Sequence, residues 1–133
     1  MSAVFADTSY FIALVSATDA KHAAAKEISR NARFELVVSE YVLVELANML
    51  SRGKSREVFF RLLANIRDDR TTQVVPSSSR LFNAGCELYR ARNDKEWSLT
   101  DCISFVIMEE RSIREVLTLD HHFAQAGFRI LIA

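Results

Sequence analysis

Five short apolar runs, at residues 2–6, 35–38, 72–75, 115–118 and 128–132, punctuate an otherwise amphipathic chain. They are continuous β-branched or aliphatic stretches rather than in–out alternations, the pattern of strands covered on both faces. Between them, apolar positions recur at helical spacing over about 8–22, 22–32, 39–51, 54–69, 78–92, 99–112 and 120–125. Val58, Phe59, Leu62, Leu63 and Ile66, for example, share one face of the fourth helix. Ser39 precedes the third helix and Ser77-Ser78-Ser79 the fifth, where a side-chain oxygen can take up the free amides of a first turn. Gly53 separates two helices, and Gly127 turns the chain into the last strand. Strands alternating with helices predict an α/β fold, a mostly parallel five-stranded sheet with helices on both sides.

Composition narrows the picture. At 133 residues, half of them apolar and 26% charged, the chain has the size and makeup of a single domain with its own core. Glycine and proline are scarce, and no repeat, linker or low-complexity tract breaks the pattern, which argues against disorder. Formal net charge is zero, so any nucleic-acid contact must come from a local basic patch. The two cysteines, Cys86 and Cys102, lie in apolar helical stretches without metal-site spacing, as expected of free thiols in a reducing compartment. Met1 leads almost at once into a strand without a basic leader, and no apolar run approaches the ~20 residues of a membrane span. A cytoplasmic protein that avoids the membrane is expected.

Candidate chemistry lies in four acids. Asp7 ends the run Ala3-Val4-Phe5-Ala6, and Asp120 follows Val116-Leu117-Thr118-Leu119. Asp101 opens the apolar segment Cys102 to Met108, and Glu45 interrupts Val42-Leu43-Val44 two turns into the third helix. Open parallel sheets bind ligands beyond the carboxyl ends of their strands, where Asp7 and Asp120 stand. Each acid has a plainer reading. Asp7 and Asp120 follow strands and can be N-caps; Ser98-Leu99-Thr100-Asp101 reads as a capping box; Glu45 can be a solvated helix-edge residue. As a set they are harder to dismiss, because Ser, Thr or Asn would cap equally well. Two carboxylates about 4 Å apart repel by ~4 kcal/mol at an effective dielectric near ~20. A helix N-terminus returns only ~0.3–1 kcal/mol to each. Convergent acids therefore call for a cation, and an all-oxygen donor set suits Mg²⁺ or Mn²⁺.

These acids sit in segments that resemble the motifs of the PIN-domain nucleases. Phe5-Ala6-Asp7-Thr8-Ser9-Tyr10-Phe11-Ile12-Ala13-Leu14 is similar to the first motif, and Ser39-Glu40-Tyr41-Val42-Leu43-Val44-Glu45-Leu46 to the second. Ser98-Leu99-Thr100-Asp101-Cys102-Ile103-Ser104-Phe105 resembles the third, and Leu117-Thr118-Leu119-Asp120-His121-His122-Phe123 the fourth. Asp19-Ala20-Lys21-His22 is also similar to a stretch that recurs after the first helix. Order and spacing match along nearly the whole chain, and the length fits the small VapC-like toxin branch. The resemblance implies a three-layer α/β/α sandwich and a Mg²⁺- or Mn²⁺-dependent endoribonuclease acting on single-stranded RNA. Asp7, Glu45, Asp101 and Asp120 would be its acidic quartet and metal-binding set, with a hydroxyl of Thr8 or Ser9 in support. It also implies a homodimer and a cognate antitoxin as partner. A stand-alone RNA-processing nuclease is the alternative within the family.

Other features carry less. His22, His121 and His122 lack metal-site periodicity, so packing or hydrogen-bonding roles are expected. Arg52, Lys54, Arg56 and Arg61, with Arg90, Arg92 and Lys95, offer charge for a phosphate backbone, although helix faces carry such charge routinely. Trp97 reads as a buried anchor more than a base-stacking platform. A phosphatase of the Asp-x-Asp kind needs an acid where Ser9 stands, and a receiver domain needs one after the third strand, which ends Val74-Val75-Pro76-Ser77. A non-catalytic binding module would be marked by a lost acid, and none is lost.

Overall fold

The computed structural model describes residues 2–132. Its elements run β1 (Ala3–Ala6), α1 (Thr8–Val15), α2 (His22–Arg30), β2 (Glu35–Ser39), α3 (Glu40–Met49) and α4 (Ser55–Asp68). β3 (Thr72–Val75), α5 (Ser79–Ala91), α6 (Leu99–Glu110), β4 (Glu115–Leu117), α7 (His122–Gln125) and β5 (Arg129–Ile130) follow. The strands form one sheet in the order β3-β2-β1-β4-β5, every pair parallel. The expected α/β/α architecture is therefore present, with a fully parallel sheet rather than a mostly parallel one.

Strand order sets the site. The chain runs outward from β1 to β2 and β3, then returns to lay β4 on the other side of β1. The reversal opens a crevice at the carboxyl ends of β1 and β4, the place where doubly wound sheets bind ligands. Register is tight there: Ala6 pairs with Leu117, and the Asp7 amide donates to the Leu117 carbonyl at 3.0 Å. Val4, Phe5 and Ala6 on β1 are buried, as are Val116, Leu117 and Thr118, as the continuous apolar runs require.

Two expected boundaries shift. The first helix ends at Val15 instead of running to 22, because residues 16–21 form turns. Asp19 accepts from the Lys21 amide at 2.9 Å, and His22 Nδ1 lies 2.8 Å from the Ala13 carbonyl. Side chains that bond nearby backbone this way compete with helix propagation. The last strand is Arg129–Ile130 rather than 128–132, since the Phe128 amide is taken by the Phe123 carbonyl at 3.0 Å in closing α7.

Packing holds the third and fourth motifs together. Phe105 of α6 meets Trp97 edge-on at 5.0 Å and Phe123 of α7 at 4.9 Å. Trp97 is the anchor expected of it: buried, with Nε1 donating to Gln125 Oε1 at 3.0 Å and the Arg92 guanidinium over its ring. α5 approaches α6 at Gly85, where a Cβ would lie 2.3 Å from Ile103 Cγ1. The N-terminus of α6 and the β4–α7 turn are thereby clamped to one aromatic cluster.

Candidate active site

Asp7, Glu45, Asp101 and Asp120 all line one cleft of about 310 Å³, together with Thr8, Ser9, Met49, Glu96, Ser98 and His122. The four acids from distant motifs do meet. Among the described residues no lysine or arginine lines this cleft.

Asp7 stands at the N-cap position of α1, yet its carboxylate makes no capping bond. It turns toward β4 instead. The Thr118 hydroxyl, fully buried, donates to Asp7 Oδ2 at 2.8 Å and accepts from the Asp120 amide at 3.0 Å. Ser9 completes the junction: its Oγ lies 3.1 Å from the Thr118 hydroxyl, 3.4 Å from Asp7 Oδ2, and accepts from the Leu119 amide at 2.8 Å. Capping does not account for Asp7.

Asp101 does cap its helix. Its amide donates to Ser98 Oγ at 3.0 Å, and its Oδ2 accepts from the Ser98 amide at 3.1 Å, the expected capping box. The same Oδ2 lies 3.2 Å from His122 Nδ1. Asp120 sits just outside α7, accepting from the His122 amide at 2.9 Å, with its Oδ1 also 3.2 Å from His122 Nδ1. Glu45 is half-buried on α3, one turn before the exposed Met49 that also borders the cleft.

The charges are poorly compensated. Burial above all pushes the Asp7 carboxyl up from 3.8 to about 6. The Thr118 hydroxyl and the Thr8 amide oppose that rise, and the Asp101 and Glu45 charges add to it. Burial likewise raises Asp101, opposed by the Ser98 amide and assisted by the Asp120 charge. A carboxyl in such surroundings gains from a cation. Thr8 Oγ1, on a residue 3% exposed at the cleft wall, is a buried oxygen without a hydrogen-bond partner. A donor set of carboxylates with an orphaned hydroxyl beside it fits a hard divalent ion.

Several residues in or behind the cleft were not singled out from sequence. Thr118 lies inside the fourth motif but reads there as one more β-branched strand residue. Glu96 adds a fifth carboxylate from the loop before α6, without any periodic signal. His122 hydrogen-bonds as expected, but does so between two of the acids; His121 is exposed, its ring 4.6 Å from that of His122. His22 serves the α1–α2 turn, and Cys86 and Cys102 are free, with burial pushing the Cys102 thiol up to about 11. Of the basic residues, Arg56 is tied to the Ser51 carbonyl at 2.6 Å and Arg92 to Asp94 at 3.0 Å. Arg52, Lys54 and Arg61 are exposed. No helix among the described residues is long and apolar enough to cross a membrane.

Two curated sequences named 23S rRNA-specific endonuclease VapC20, from Mycobacterium tuberculosis strains CDC 1551 / Oshkosh and ATCC 25618 / H37Rv, are each 29% identical to this chain over 125 residues. The aligned region is 94% of this chain and 95% of each relative. The crystal structure of M. tuberculosis VapC20, described as a sarcin–ricin-loop-cleaving toxin, superposes with a TM-score of 0.84 at 28% identity. That match covers 94% of this chain and 95% of the other. The PIN domain family model matches residues 4–129, and the chain belongs to the PIN-domain family.

Proposed function

We propose that this chain is a metal-dependent endoribonuclease, the toxin of a toxin–antitoxin pair, which hydrolyses phosphodiester bonds in exposed single-stranded RNA. The observation that carries the reading is the convergence of Asp7, Glu45, Asp101 and Asp120 in one cleft at the β1–β4 crevice, lined by no lysine or arginine among the described residues. Asp7 and Asp101 would hold Mg²⁺ or Mn²⁺, with Glu45 and Asp120 acting directly or through bound water. The ion, when bound, supplies an acidified water and a positive charge for the scissile phosphate.

The chain's own residues prepare that cleft. Thr118 holds Asp7 Oδ2 in place and fixes the Asp120 amide with the same oxygen. Ser9 braces Leu119, keeping the turn after β4 against the start of α1. His122 spaces Asp101 from Asp120. Arg52 and Lys54, exposed just beyond the end of α3, would supply the charge for an RNA backbone that approaches past Met49. Exposed loops suit an open cleft, since unstacked bases and backbone are both accessible in them. The named activity of the VapC20 relatives makes 23S rRNA the first substrate to test.

A basic side chain can stand in for a cation among four carboxylates, so the antitoxin should insert Arg or Lys into this cleft. A homodimer in the cytoplasm completes the proposal. The experiment is cleavage of labelled ribosomal RNA by purified protein with Mg²⁺ or Mn²⁺, with EDTA, and with Glu45→Gln or Asp101→Asn. Cleavage should need the metal and fall by roughly a hundredfold or more in each variant. Equal cutting by wild type and both variants would end the nuclease reading. Normal growth on expression alone would instead favour a stand-alone RNA-processing enzyme.

A further inference from the structure

We propose that Asp120, His121 and His122 form a transition-metal site at the rim of the acidic cleft, suited to Zn²⁺ or Ni²⁺ rather than Mg²⁺. One carboxylate oxygen and two imidazole nitrogens from these residues lie within 4.8 Å of one another. His122 Nδ1 is 3.2 Å from Asp120 Oδ1, and His121 Nδ1 is 3.9 Å from the same oxygen. Zinc–ligand bonds of ~2.0–2.2 Å in tetrahedral geometry put neighbouring donor atoms roughly 3.3–3.6 Å apart. The first distance is just short of that edge length and the second is slightly beyond it. A rotation of the His121 side chain, which is 76% exposed, would close the gap.

The donor types separate this site from the carboxylate cleft. Imidazole nitrogen favours Zn²⁺, Ni²⁺ and Cu²⁺, whereas carboxylate and water favour Mg²⁺ and Mn²⁺. The framework is fixed already: the His122 amide holds Asp120 Oδ1 at 2.9 Å, and Thr118 holds the Asp120 amide at 3.0 Å. Asp101 Oδ2 also lies 3.2 Å from His122 Nδ1, so two carboxylate oxygens face one ring nitrogen. That nitrogen carries at most one hydrogen, and a single N–H serves two acceptors poorly. A divalent ion at the same junction would face both anions at once. Because Asp120 and Asp101 also belong to the proposed hydrolytic set, zinc bound here should compete with Mg²⁺-dependent cleavage.

The test is calorimetric titration of EDTA-stripped, dialysed full-length protein with ZnCl₂ and separately with MgCl₂. Wild type should take up one Zn²⁺ per chain at this rim, and Zn²⁺ affinity should fall about tenfold in His121→Gln and by up to about a hundredfold in His122→Gln. Mg²⁺ affinity should stay within about twofold of wild type in His121→Gln, since oxygen donors suit Mg²⁺. Co²⁺ titration should give the visible bands of a four-coordinate, nitrogen-ligated ion that weaken in both variants. His121 is exposed, so its variant tests the site even if His122→Gln is poorly folded. Superimposable Zn²⁺ isotherms for wild type and His121→Gln would overturn the proposal. So would Zn²⁺ binding that is lost in Asp7→Asn but intact in His121→Gln, since that places zinc among the carboxylates. If no Mg²⁺ binds, the hydrolytic reading fails while the Zn²⁺ isotherms still decide this one.

Discussion

Replacing Asp7 with asparagine should stabilise the metal-free protein near neutral pH while removing its response to metal. Asp7 is 5% exposed, and folding raises its carboxyl from 3.8 to about 6, chiefly because burial disfavours the charge. Well below about pH 4 the group is protonated in folded and unfolded chains alike. Between about pH 4 and 6 only the folded chain keeps the proton, so stability falls as pH rises. Above about pH 6 the loss is complete, roughly 3 kcal/mol for a rise of that size. Asparagine carries no charge and keeps an oxygen that can accept from Thr118. Its NH₂ must still be accommodated, which takes back about 1 kcal/mol or more.

The net gain for Asp7→Asn in EDTA at about pH 7 is then roughly 1–2 kcal/mol, or roughly 4–7 °C in Tm for a chain of this length. Circular-dichroism melts at about pH 7 and about pH 5 check it, and the burial contribution should be about halved at the lower pH. Metal reverses the order. Wild type should gain about 2.7 kcal/mol at a hundredfold excess of Mn²⁺ over its Kd, and the variant should gain little. Protons compete for the same carboxylate, so wild-type Mn²⁺ affinity should be about tenfold weaker at about pH 5 than at about pH 7. A variant less stable than wild type in EDTA by the same margin at both pH values would refute the burial argument.

Three further outcomes are expected. Thr118→Val removes a hydroxyl that bonds Asp7 and leaves the Asp120 amide without its partner, and should cost about 1–3 kcal/mol in urea unfolding. Thr118→Ser should recover most of that loss, since it restores the oxygen. Gly85→Ala drives a Cβ to 2.3 Å from Ile103 Cγ1 and 3.4 Å from the Ile103 Cα, and should destabilise by about 1–3 kcal/mol in the same assay. Asp120→Asn should weaken RNA cleavage and, unlike Glu45→Gln, should also lower Zn²⁺ affinity, by roughly tenfold.

Much of the fold was legible because its signals are local. Continuous apolar runs such as Val116-Leu117-Thr118 announce strands covered on both faces, and all three residues are fully buried. Ser39, Ser78 and Ser98 cap the helices they precede, accepting from the amides of Val42, Leu81 and Asp101. The boundary at Val15 was hidden because Ser16, Ala17 and Thr18 do not break a helical pattern by themselves. What ends the helix is the turn built by Asp19 and the His22 ring on the Ala13 carbonyl. The four acids were legible as a set, since strand ends and helix starts are fixed by the same alternation. Glu96 was not, because a loop glutamate looks the same whether it faces a cleft or bulk water.

The site's internal order depends on register, which no local pattern encodes. Asp7 is raised by the charges of Asp101 and Glu45, whereas Asp101 is raised by that of Asp120. Asp101 therefore neighbours both the buried Asp7 and the rim pair of Asp120 with His122. Thr118 ties the two together from below, with Asp7 on one side of its oxygen and the Asp120 amide on the other. That tie exists because Ala6 pairs with Leu117. A slip of one residue between β1 and β4 would turn Thr118 to the opposite face of the sheet and bring Leu117 or Leu119 to its place. Asp7 would then keep its burial and lose its strongest hydrogen bond. The apolar residues of β4 thus hold more than the core: by fixing register, they decide which acids line the cleft together.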